Sequence, residues 1–157
     1  MSQNQIQLPS EVESLRQEII YWIENYLPQM HLKNFIYDGE KYDYRTIQRE
    51  FRLLCMQFIN ILKPFNLDPR QRLVIFFGSK CSECNSTDDL ELHHINNDGK
   101  LDRETFRCCQ VYIWKYYLIH LDEAYDTFEL LCRDCHRGDS GFGIFTGLFR
   151  ELGLWSV

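Results

Sequence analysis

Apolar positions recur at helical spacing through the first half of the chain. Val12, Leu15, Ile19, Ile20, Trp22, Ile23 and Tyr26 form one such stripe, which predicts an amphipathic helix from Ser10 to near Pro28. Ser10 and Glu13, after Pro9, have the spacing of a capping box. Met30 to Tyr42 shows no period and reads as a loop. Ile47, Phe51, Leu54, Cys55, Phe58 and Leu62 mark the apolar face of a second helix, from Tyr44 to about Leu62. Asp68-Pro69 offers an N-cap followed by proline at the first helical position. A third helix therefore opens there and ends at Gly78.

The period then shortens. Leu90-Glu91-Leu92-His93-His94-Ile95 alternates as a strand does, with Leu90 and Leu92 on one face. Arg103 to Leu121 reads as a helix whose aromatics, Phe106, Tyr112, Trp114, Tyr116 and Tyr117, suit core packing. Asp122 to Phe128 reads as a short helix and Glu129 to Cys132 as a returning strand. Phe142, Ile144, Phe145, Leu148, Phe149 and Leu152 suggest a closing helix interrupted by Gly143 and Gly147. The expectation is an α+β fold. An N-terminal helical region over 1–66 precedes a second module over 67–157 that carries a helical insert.

Composition narrows the function classes. A length of 157 residues fits one domain, or one with an appendage, and 45% apolar content supports a core. No apolar run approaches the roughly 18–20 residues that span a bilayer, so no membrane partner is expected. The first residues lack the basic start and apolar stretch of a signal peptide. Seven cysteines, an odd number with paired spacing, suit a reducing, intracellular and most simply cytoplasmic setting. Cys55, Cys108 and Cys109 are expected to pack in the core. The net charge of −6 is awkward for a protein that approaches DNA. Its distribution is uneven, however. Lys41 to Lys80 holds eight basic and three acidic residues and so carries +5. Within it Arg45, Arg49 and Arg52 share one helix face. They are the candidate nucleic-acid contacts, although a solvated face has the same pattern.

The chemistry lies further on. Cys81-x-x-Cys84 and Cys132-x-x-Cys135 form two knuckles. Each brings two thiolates to one ion, and two knuckles complete a tetrahedral four-sulfur zinc site. Between them stand His93 and His94, and His136 follows the last cysteine. Neighbours on a strand point to opposite faces. One histidine can therefore bind a metal while the other takes a proton from water, as an imidazole does near neutral pH.

Together these motifs resemble an HNH (His-Asn-His) nuclease domain with zinc knuckles. The carriers are Gly78-Ser79-Lys80-Cys81-x-x-Cys84, Leu92-His93-His94-Ile95-Asn96 and Leu130-Leu131-Cys132-x-x-Cys135-His136, within Leu67 to Ser140. The resemblance implies a ββα-metal module and a metal-dependent endonuclease acting on DNA. It implies His94 as general base, with His93 and His136 as ligands of a catalytic Mg²⁺ or another divalent ion. Zn²⁺ on the four cysteines would be structural. The chain departs from the family at two places. Thr127 stands where the family has its middle Asn, and Ser140 where a further histidine often lies. These departures keep open a second expectation, a catalytically degenerate zinc module that binds nucleic acid or a protein partner.

Overall fold

Two helices, each buried along one stripe, begin the core. The computed structural model describes residues 8–29, 35–37, 40–96, 99, 104 and 110–137. Helix α1 (Ser10–Asn25) buries Val12, Ile19, Trp22 and Ile23, and α2 (Tyr44–Ile61) packs against it through Ile47, Phe51, Leu54, Cys55, Phe58 and Ile59. The Asp43 carboxylate starts α2 by accepting the Thr46 N–H at 2.8 Å, which satisfies one of the orphan donors of the first turn. Helix α3 (Pro69–Phe76) has a full capping box. Asp68 accepts from Gln71 N–H, and the Gln71 side chain accepts from Asp68 N–H. The chain leaves α3 through Gly78 at φ +87°, a conformation that glycine adopts without strain.

Helix α4 (Gln110–Ile119) packs on α3, and α5 (Leu121–Thr127) follows it directly. One continuous helical core results. It runs from Val12 through Leu62 to Leu73, Phe76, Tyr117 and Leu121, crossing the 66/67 position. Phe58 and Phe76 are fully buried and meet edge to face, their centroids 5.8 Å apart. Among the described residues no helix is long and apolar enough to cross a membrane.

Among the described residues the strands form two small antiparallel pairs. Strands β1 (Phe35–Tyr37) and β2 (Glu40–Tyr42) pair with Ile36 opposite Lys41. Strands β3 (Leu90–His94) and β4 (Phe128–Cys132) pair with Leu92 opposite Leu130. The molecule is therefore a mixed, helix-dominated α+β structure.

Several expectations need correction. Met30 to Tyr42 contains the β1–β2 hairpin, because three-residue strands are too short to display alternation. Asp38-Gly39 between them was the available signal. Ser10 makes no capping box: its hydroxyl lies 3.4 Å from Glu11, and Glu13 is engaged by Arg16 and Gln17. Tyr112 is 60% exposed, outside the core expected of the insert's aromatics. Cys55 is buried as expected. Glu104 is helical, but the other residues of 103–109, with Phe106, Cys108 and Cys109, lie outside the described residues. So does the expected closing helix over 142–152.

Truncating a fully buried aromatic leaves a cavity that close-packed neighbours fill only in part. Phe58→Ala should lower stability by about 3–5 kcal/mol in urea titration at fixed zinc, whereas Leu53→Ala, on the half-exposed side of α2, should cost far less.

Candidate metal centre

The first knuckle is shaped by local backbone bonds. Cys81 N–H donates to Ser86 carbonyl oxygen at 2.8 Å, and Asn85 N–H donates to Cys81 carbonyl at 3.0 Å. Asn85 takes a left-handed conformation, φ 60°, which asparagine tolerates better than most residues. Ser82 N–H reaches Leu130 carbonyl at 2.8 Å and fastens the knuckle to β4. The second knuckle starts at Cys132, the last residue of β4, and continues into a helical turn over 133–137. Arg133 N–H donates to Asp89 carbonyl at 3.0 Å, which ties that turn to the loop before β3.

These constraints bring four sulfur atoms together. The Sγ atoms of Cys81, Cys84, Cys132 and Cys135 lie within 4.8 Å of one another. Cys84 and Cys132 are 3.6 Å apart, far beyond the roughly 2.05 Å of a disulfide. Tetrahedral zinc at about 2.3 Å from each sulfur places sulfurs about 3.8 Å apart. The donor set thus fits one metal ion such as zinc, as the knuckle spacing predicts.

Protonation within the cluster is in conflict. Burial pushes the Cys81 thiol up, but the backbone N–H groups of Cys132, Cys84 and Glu83 outweigh it and bring it down to about 6. Cys135 is pushed up, first by burial and then by the thiols of Cys132, Cys84 and Cys81. Four neighbouring sulfurs cannot all ionise beside one another without a cation. A dication removes the conflict, since ligating thiols deprotonate outright.

The strand register sorts the histidines. Opposite residues of an antiparallel pair share a face, so Glu91 and His93 stand with Leu131 and Glu129. Leu90, Leu92 and His94 stand on the other face with Cys132, Leu130 and Phe128. His93 is buried, 6% exposed, and its ring lies 4.8 Å from that of His136. His136 Nδ1 is 2.6 Å from Glu91 Oε2. His94 instead packs its ring 4.5 Å from Phe128. Gly99 lies against that ring, and a Cβ there would sit 3.0 Å from His94 Nδ1. The structure therefore brings His93 and His136 together and sets His94 apart from them.

The remaining candidates fall as follows. Thr127 ends α5, and its carbonyl accepts Ile95 N–H at 2.9 Å. Ser140 lies outside the described residues. Arg45, Arg49 and Arg52 are exposed on α2 and line one shallow groove of about 250 Å³ with Gln48, Leu53 and Met56. Arg49 also meets Glu50 at 3.2 Å. That helix packs on α1 and α4, whereas β3 packs on β4 and α3. Cations beside the histidine hairpin come from elsewhere: Arg70 donates to Leu90 carbonyl at 3.1 Å, and Arg133 lies 3.8 Å from Glu91.

Sequence reasoning overlooked Glu91, Arg70 and Gly99. Only Glu91 carried a signal, since it precedes His93 by two positions on an alternating strand. The chain matches no family model, no curated protein and no solved structure. What the site does is therefore read from its residues and their geometry.

The purified protein should carry one tightly held zinc ion per chain by elemental analysis. Cys135→Ser should release it and unfold the β3–β4 hairpin, because binding energy at such a site is folding energy. Folded protein without metal would remove the cluster's structural role.

Proposed function

We propose that the protein is a metal-dependent endonuclease of the HNH type that hydrolyses DNA phosphodiester bonds. Its scaffold is held by structural zinc on Cys81, Cys84, Cys132 and Cys135. The observation that supports this best is the meeting of His93 from β3 with His136 from the 133–137 turn, beside the sulfur cluster. Two imidazoles suit a transition-metal ion better than Mg²⁺, which prefers oxygen ligands. Such an ion, when bound, supplies charge stabilisation at the scissile phosphate.

The protein's own residues do the rest. His93 and His136 set the position of the ion. His94 takes the proton of the attacking water. It is the last residue of β3, where the chain turns away at Ile95 and Asn96. The reading requires a phosphodiester at that strand end to be reached from both faces of the hairpin. Arg45, Arg49 and Arg52 attract the DNA backbone, as clustered cations do at low salt.

One observation favours a second reading, a zinc module that binds nucleic acid or protein without cutting it. His94 lies against Phe128 and Gly99 and faces away from the His93–His136 pair.

Plasmid nicking separates the two. With Mn²⁺ or Co²⁺ the wild type should nick, and His94→Ala should be slower by about 10²–10⁴-fold, with zinc content and melting temperature nearly unchanged. A wild type that cuts neither DNA nor RNA with any divalent ion hands the site to the binding reading. Cleavage retained in His94→Ala gives the proton to another group.

Electrostatic approach has its own test. Reversing Arg45 and Arg49 to Glu should weaken DNA binding. The slope of log affinity against log salt should fall by about one for each phosphate that the variant no longer neutralises. Melting should barely change, because exposed charges add little to stability. Unaltered binding at low salt would move the DNA-binding surface away from α2.

A further inference from the structure

Glu91 has no part in the reading above, yet it faces the histidine pair. It alternates with His93 on β3, so both side chains leave one side of the sheet. Its Oε2 lies 2.6 Å from His136 Nδ1, a charge-assisted length. Its Oε1 lies 3.8 Å from Arg133 Nε. An ionised carboxylate can only accept hydrogen bonds. His136 Nδ1 must therefore carry the proton of that contact. The ligating nitrogen of the ring is then Nε2.

We propose that Glu91 is a positioning residue that fixes His136 as an Nε2 ligand, so that His136 and His93 can hold one transition-metal ion. A carboxylate behind a ligating histidine selects its tautomer, orients its ring and raises its basicity. Glutamine at 91 keeps the length of the side chain, but its amide can donate as well as accept, so the tautomer is no longer dictated. Aspartate keeps the charge at a shorter reach. This inference rests on the metal-dependent reading of the His93–His136 face. Its tautomer, however, exists whether or not the protein cuts DNA.

The test uses the full chain with its structural zinc in place. Long-range ¹⁵N–¹H spectra of the imidazoles report which nitrogen of His136 carries the proton, and calorimetry with Co²⁺ reports affinity at the pair. Wild type should show the Nδ1–H form of His136. Glu91→Gln should shift His136 toward a tautomer mixture and weaken Co²⁺ binding by about 10–100-fold, with bound zinc unchanged. Glu91→Asp should recover part of both signals. An Nε2–H form in wild type overturns the proposal, as does Co²⁺ affinity unaltered in Glu91→Gln or absent from wild type. If Glu91→Gln does not fold, the wild-type spectrum and Glu91→Asp still decide. Locked tautomer and Co²⁺ binding without cleavage would support this inference and sink the nuclease reading.

Discussion

Four sulfur atoms within 4.8 Å of one another hold together segments that lie 48 residues apart between Cys84 and Cys132. The apolar support around them is slight. Cys81, Leu131 and Cys132 are buried there, with Leu90 and Cys135 packed alongside. A cluster of that size cannot offset the ordering of two loops and a hairpin, and small modules of this kind usually need a metal or a disulfide. The crowded thiols add electrostatic conflict that a dication removes. The cluster sits at the end of the hairpin that carries both histidine faces.

Strand β4 carries the dependence into the rest of the molecule. Its first residue, Phe128, belongs to the helical core and contacts Tyr117 and Trp114, with centroids 4.7 and 5.7 Å away. Its last residue, Cys132, belongs to the sulfur cluster. Five residues thus join a helical body to the sulfur cluster. The register of β3 on β4 then decides which histidine meets which neighbour. A one-residue slip would exchange His93 and His94 between faces. Phe128 in the helical core at one end of β4 and Cys132 in the sulfur cluster at the other both oppose that slip.

Much of this was legible in the sequence, for identifiable reasons. The α2 stripe and the Asp68-Pro69 cap are local signals, and both stand where the pattern puts them. The four cysteines were legible because metal ligation imposes a spacing that few other constraints imitate. The opposition of His93 and His94 follows from strand geometry alone. The β1–β2 hairpin was not legible, because its strands are shorter than the window in which a period can be read. The Ser10 cap failed because the helix starts one residue earlier than the cap requires, with Pro9 at the N-cap, and Glu13 pairs forward with Arg16 and Gln17 at i+3 and i+4. The contacts of His94 with Phe128 and Gly99, and of Arg70 with Leu90, arise only when distant segments pack.

Zinc-edge X-ray absorption on the purified protein tests the central claim most directly. Four sulfur scatterers at about 2.3 Å are expected, with no light-atom ligand on the metal. A mixed ligand set, with nitrogen at about 2.0–2.1 Å replacing one or more sulfurs, would contradict it. It would mean that His93 or His136 belongs to the structural site and that the sulfur cluster does not close on itself.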